Sequence, residues 1–284
     1  MDRAHISQSV LSITSPGTFL APGDIPLCRQ ITRETNAELA SICAENPDRF
    51  AFFASLPLPD VEGSLSEIDH ALDDLGAKGF MILTNVNGVY LGDARLDPVF
   101  AKLNERGAIV MIHPTTCRLA CDHQPRASEV VVLPEYPRPM LDFFFDTARA
   151  VTHLLLSKTV ERYQRIKWIV PHCGAVLPPV VERFTAYSAR VYGKKDSISS
   201  DDVRTLFKTR FYFDLAGFPF PDQIHGLLRF ADVSRLLYGT DFPFLPADAV
   251  VDSAERNDLE VEALFGEDGQ RKVYQDNARE LLSL

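Results

Sequence analysis

The sequence lacks most of what a membrane or nucleic-acid protein needs. No apolar run in the 284 residues approaches the ~20 that a bilayer-spanning helix requires. No signal-peptide h-region follows Met1-Asp2-Arg3-Ala4-His5. Positive charge is in deficit, with 29 Lys and Arg against 39 Asp and Glu and a net charge of −10. That balance argues against nucleic acid and anionic membrane surfaces as partners. Cysteine is sparse: five residues, an odd and scattered set, make no disulfide framework and fit a reducing, cytoplasmic compartment. Cys117, Cys121 and His123 could form part of a zinc knuckle, but no second Cys pair stands at zinc-finger spacing, so free thiols in a loop are the favoured reading. Internal repeats, low-complexity tracts and dividing linkers are also missing. A single domain spanning 1–284 is therefore expected, a length that α/β barrels reach as one unit.

What is present is a series of short apolar runs that end on chemistry. Leu236-Leu237-Tyr238-Gly239-Thr240-Asp241-Phe242-Pro243 stops at a glycine and delivers a carboxylate. Ala108 to Ile112 ends at His113-Pro114, and Ile166 to Pro171 ends at His172-Cys173-Gly174. Apolar runs of this length, closed by turn residues, read as strands buried on both faces. Further strands are expected at Ser9–Ile13, Phe50–Leu56, Gly79–Thr84 and Phe211–Leu215. Helices are expected over about 27–45, 64–76, 97–106, 141–163, from Pro178 onward, and over 224–230, 250–264 and 270–282. Ser64 and Glu67 have capping-box spacing. The stretch from Cys117 to Pro139 shows no periodic element, and loops of that length often serve as lids or binding segments. Alternating strands and helices indicate βα units and a parallel sheet. Seven strands are counted, one fewer than a (β/α)8 barrel needs.

In a parallel barrel, residues at the carboxyl ends of different strands converge on one mouth. His113, His172 and Asp241 are thus candidates for a metal or acid–base site, because neutral imidazole and carboxylate suit zinc and similar divalent ions. Weaker candidates carry two readings each. Asp214 contacts substrate or pairs with a neighbour. Asn85 and Asn87 touch substrate or serve the turn after their strand. Asp146 and Arg149, three apart on a helix, default to an ion pair. His70, His153 and His225 read as structural or exposed helix residues.

Ile112-His113-Pro114, Val170-Pro171-His172-Cys173-Gly174, Tyr238-Gly239-Thr240-Asp241-Phe242-Pro243 and Asp276-Asn277-Ala278-Arg279-Glu280-Leu281-Leu282 together resemble the amidohydrolase-related family, in its aminocarboxymuconate-semialdehyde decarboxylase branch. Asp146-Thr147-Ala148-Arg149, Tyr90-Leu91-Gly92-Asp93 and Pro178-Pro179-Val180-Val181-Glu182-Arg183-Phe184 are similar to the fungal 6-methylsalicylate decarboxylases within it. The resemblance implies a (β/α)8 TIM barrel holding one divalent metal, zinc first and manganese second, with no organic cofactor. It makes His113 and Asp241 metal ligands and His172 the proton-handling residue beside the metal. Arg183, eleven residues after His172, matches an arginine that reaches a substrate carboxylate in the neighbouring subunit, which implies a homodimer; an exposed helix arginine is the plain alternative. The implied reaction is non-oxidative decarboxylation of a small aromatic acid, with either Asp241 or His172 protonating the ring carbon. The chain departs from the family in one respect: it has no His-x-His or Glu-x-His pair, which relatives carry at the end of their first strand. That departure and the missing eighth strand leave a shortened start open as an expectation. It also leaves two other functions: a metal-dependent lactone or amide hydrolase, and a catalytically silent barrel.

Overall fold

A computed structural model describes residues 1–119, 128–131, 133–193 and 196–284. The chain forms two compact units, one of residues 8–167 and one of residues 1–7 with 168–284.

The 8–167 unit begins with strand β1 (Ser9–Leu11) and helix α1 (Ile25–Glu45). Asp24 caps α1 by accepting from the Leu27 amide at 3.1 Å, and Cys28, Thr32, Asn36 and Leu39 form its buried stripe. Strand β2 (Phe50–Ala54) and helix α2 (Val61–Asp73) follow. Helix α2 starts three residues before the expected Ser64, and the anticipated capping box does not form. Ser64 Oγ donates instead to the Asp60 carbonyl, while buried Glu67 accepts from Arg33 and Asn36. Strand β3 (Gly79–Leu83) is buried along its whole length. A Cβ on Gly79 would lie 2.5 Å from the Ile109 carbonyl oxygen, so only glycine allows the two strands to approach there.

After β3 comes a small hairpin, β4 (Asn85–Val86) and β5 (Val89–Tyr90). Its turn residues Asn87 and Gly88 have φ of 50° and 80°, the two positive angles that an Asn-Gly hairpin turn requires. Helix α3 (Asp97–Glu105) leads to β6 (Ile109–His113), paired parallel to β3 in a register that sets Leu83 beside His113. The long connection then contains a second antiparallel pair, β7 (Arg118–Leu119) with β8 (Ser128–Glu129). Cys121 and His123 of the possible zinc knuckle lie outside the described residues. The helix expected over 141–163 is two, α4 (Asp142–Leu156) and α5 (Thr159–Arg162), separated where Lys158 takes a left-handed φ of 60°. Strands β1, β2, β3 and β6 form one parallel sheet in that order.

The second unit contains β9 (Lys167–Val170) from Trp168 onward, α6 (Leu177–Val191), α7 (Ser200–Thr209), β10 (Phe211–Asp214), α8 (Gln223–Leu227) and β11 (Leu236–Leu237). Helix α7 has no counterpart among the expected elements, although Ser199 and Asp202 form a full capping box at its start. Helix α9 (Ala247–Arg271) breaks at Gly266, whose φ is 66°, and runs through a π turn into α10 (Asn277–Leu282). That break falls between the two terminal helices anticipated from sequence. Strands β9, β10 and β11 are parallel and in that order. Trp168, Phe207, Phe211 and Phe213 are fully buried, and Phe207 sits 5.0 and 5.2 Å from the Phe211 and Phe213 rings. Each such side chain contributes roughly 1.5–3 kcal/mol by burial, which makes this cluster a firm base for the strand ends above it. Among the described residues, no helix is long and apolar enough to cross a membrane.

Candidate active site

His172 follows β9 in a run of four residues that all have positive φ: His172 at 56°, Cys173 at 56°, Gly174 at 77° and Ala175 at 53°. Three of the four carry a Cβ, and each such residue costs on the order of 1–3 kcal/mol. The turn is held from two sides. The Asp214 carboxylate, at the end of β10, accepts from the His172 amide at 2.9 Å and from the Ala216 amide at 3.1 Å. Gln223 on α8 donates its Nε2 to the carbonyls of His172 at 2.7 Å and Ala175 at 3.2 Å. Asp214 therefore takes the neighbour-pairing role. Gln223 gives no sign of its role in the sequence, because an amide on a helix carries no motif.

The strand bearing Asp241 is shorter than expected. Strand β11 ends at Leu237, and Asp241 stands four residues on in a left-handed conformation with φ of 56°. Its Oδ2 faces His172 Nε2 at 3.8 Å. A Cβ on Gly239 would lie 3.3 Å from the Asp214 side chain, so the segment leading to Asp241 packs tightly over that carboxylate. Burial lowers the His172 pKa, but the facing Asp241 and the charge of Asp214 outweigh it and the net shift is upward. Burial pushes the Asp214 carboxyl up, against the opposing pull of His172 and two backbone amides.

In the 8–167 unit, His113 is buried at the end of β6. Its Nδ1 lies 2.8 Å from the Pro114 carbonyl, which can only accept, so Nδ1 carries a proton and Nε2 is the nitrogen left to bind a further partner. Thr14 Oγ1 is 3.4 Å from that Nε2. Asn87 lines a cleft of about 330 Å³ with Asn85, Thr115, Thr116, Arg118 and Arg138 among its walls. Asn87 thus both serves the hairpin turn and faces the cleft. Asn85 is a framework residue: its Nδ2 donates to the Thr116 carbonyl and to Asp146. Asp146, which sequence spacing makes half of a simple ion pair, is 1% exposed and accepts from Thr84, Asn85 and Tyr90, with Arg149 at 3.4 Å.

Arg183 projects from the exposed face of α6, its guanidinium 5.0 Å from the Tyr187 ring centre. His70 pairs with Asp74 at 2.7 Å, and His225 and His153 are exposed, the His153 pKa being lowered by partial desolvation against its neighbours.

The donor types fit a divalent metal. His113 has one ring nitrogen engaged by a carbonyl, the arrangement in which the other nitrogen of a metal-binding imidazole coordinates. Within neither unit do three or more His, Cys, Asp or Glu side chains of the described residues gather so as to hold an ion.

The amidohydrolase family model matches residues 16–284. The chain belongs to that family. It is 33% identical over 288 residues to the decarboxylase yanB of Aspergillus niger, covering 99% of this chain and 76% of that protein. It is also 33% identical over 249 residues to the 6-methylsalicylic acid decarboxylase of Penicillium expansum, covering 87% and 73%. Among solved structures, the 5-carboxyvanillate decarboxylase of Novosphingobium aromaticivorans, crystallised with manganese, superimposes with a TM-score of 0.84 at 23% identity, over 100% of this chain and 79% of that one. The α/β fold of this amidohydrolase is accordingly of the TIM-barrel type, as its alternating strands and helices foretell.

Proposed function

We propose that this amidohydrolase is a metal-dependent carboxy-lyase, removing the carboxyl group of a small aromatic acid of the 6-methylsalicylate type without oxidation. The observation that carries the reading is the His172–Asp241 pair, two strained strand-end residues facing each other at 3.8 Å. The named activities of the similar decarboxylases support it.

A divalent ion, zinc or manganese, would supply Lewis-acid neutralisation of the substrate's negative charge when bound. The reading assigns His113 and Asp241 to hold it, with His172 beside them. His172, whose imidazolium is favoured by Asp214 and Asp241, holds a proton next to the substrate ring. That proton goes to the ring carbon bearing the carboxylate, delivered from His172 itself or from Asp241. The C–C bond electrons then restore the ring as carbon dioxide leaves, and water returns the proton to the donor. Asn87 contacts the substrate from the cleft rim, and Arg183 reaches the carboxylate in a neighbouring subunit of a cytoplasmic homodimer. The reading takes residues 1–284 as one barrel domain and calls for no organic cofactor.

Supplying zinc or manganese with the hydroxybenzoate tests the reaction, carbon dioxide and the matching phenol being the expected products. Cleavage of esters or lactones with no decarboxylation would replace it with a hydrolase. Sedimentation and metal analysis of single variants test the remaining assignments: a dimer in solution, and metal lost from His113→Ala and Asp241→Ala.

A further inference from the structure

The network around Asp146 has a direction that its burial alone does not explain. Three consecutive residues behind His113 are each tied to this one carboxylate through a different intermediary. The Thr115 amide donates to Thr84 Oγ1 at 3.2 Å, and the Thr84 hydroxyl donates in turn to Asp146. Asn85 Nδ2 bridges the Thr116 carbonyl and Asp146, at 3.1 Å to each. Tyr90 gives its single proton to Asp146, so at the 3.3 Å contact its oxygen accepts from the Cys117 thiol. Burial and the neighbouring Asp146 both raise the Tyr90 pKa, which keeps the phenol protonated as this arrangement requires.

A buried carboxylate is costly unless hydrogen-bonded, and a fully satisfied polar network fixes the position of everything attached to it. Here the attached groups are the segment leaving β6 and the β4–β5 hairpin. Thr115, Thr116, Asn85 and Asn87 from these pieces all face the cleft.

We propose that Asp146 is a positioning residue: from helix α4 it clamps residues 115–117 and the hairpin together, and so sets the shape of the cleft wall next to His113. Asp146 itself, 1% exposed beneath that wall, touches no ligand. The proposal rests on the proposed function only for the identity of the ligand, an aromatic acid.

The test uses the whole chain with Asp146→Asn and Tyr90→Phe. The first keeps size but replaces one acceptor oxygen with a donor; the second cuts the Cys117 arm alone. Alkylation of Cys117 is followed by peptide mass spectrometry, with Cys43 as internal reference and the buried Cys28 and Cys173 as reporters of general loosening. The clamp predicts Cys117 labelling at least fivefold faster in both variants, with Cys28, Cys43 and Cys173 unchanged. It also predicts a tenfold or greater rise in KM, and in the dissociation constant of 6-methylsalicylate, for Asp146→Asn, with kcat changing less. Asp146→Glu, which keeps the acceptors, recovers part of both effects. Unchanged Cys117 labelling would overturn the clamp. Faster labelling with unaltered KM and dissociation constant would overturn its role in the cleft, and equal acceleration at Cys117, Cys28, Cys43 and Cys173 would reduce Asp146 to a folding residue. If the wild type turns over no hydroxybenzoate, the proposed reaction fails, while labelling and binding still decide the clamp.

Discussion

The two units hold their strand-end imidazoles by opposite means. His113 leaves β6 in relaxed backbone, its ring oriented by the next carbonyl and the following loop tied down by side chains that meet at Asp146. His172 leaves β9 in a four-residue left-handed run, pinned through its main chain by Asp214 and Gln223. One arrangement stores its precision in a satisfied polar network, the other in strain that its neighbours overcome. Strain at a strand end keeps a side chain where relaxed backbone would not leave it, and such strain concentrates where chemistry is done. Under the proposed function, proton transfer falls to the strained unit and substrate framing to the networked one.

Substitutions test that division, beginning with the largest effect. His172→Ala and Asp241→Asn are each expected to lower kcat by about 10²–10⁴, the usual contribution of a positioned acid–base group. Melting temperatures should stay within a few degrees, because neither side chain belongs to the aromatic core. Steady-state kinetics beside thermal unfolding would read both, and a variant retaining full kcat would remove its residue from the chemistry.

Gln223→Ala comes next. It removes two donors from the strained turn and should cost about 1–3 kcal/mol of stability, with kcat falling roughly tenfold as His172 loses its fixed place. Denaturant unfolding and kcat together check this, and equal stability would mean that the turn holds itself. Ala175→Gly is predicted to run against the general cost of glycine. Because φ at Ala175 is 53°, relief of strain should leave stability unchanged or higher by up to about 1 kcal/mol, whereas the same substitution at Ala108, within relaxed backbone, should destabilise.

The smallest expected effect is a pH dependence outside the site. His153 is exposed, yet partial desolvation lowers its pKa below the ordinary value of 6.5, against the opposing charge of Asp93. Below that value the unfolded chain binds the proton more readily than the folded one, so the His153 contribution to stability is lost as pH falls from 6.5 toward the folded value. Comparing unfolding free energies at pH 7.5 and 5.5 in wild type and His153→Gln should show a shallower slope in the variant. A steeper slope would reverse the assignment.

What is legible in the sequence divides along the same line. Periodicity and turn residues are local, so the strands carrying His113 and His172 announce themselves in the order of residues alone. The Asn-Gly pair at 87–88 and the Ser-x-x-Asp at 199–202 are local signals too, for a turn and a cap. They are easily overlooked, because the polar stretches around them have the composition of loops. The left-handed run is invisible at that level, since His, Cys and Ala give no warning of positive φ and only tertiary partners such as Gln223 sustain it. Asp146 misleads for a related reason. Its helical neighbour Arg149 suggests an ion pair, whereas its stronger partners Thr84, Asn85 and Tyr90 lie 56 to 62 positions away.

The central claim is tested most directly by incubating the metal-loaded protein with 6-methylsalicylate and measuring carbon dioxide and 3-methylphenol together. The account predicts equal amounts of the two, abolished in His172→Ala and Asp241→Asn. A folded, metal-loaded protein that releases neither product from this acid or from other hydroxybenzoates would contradict it.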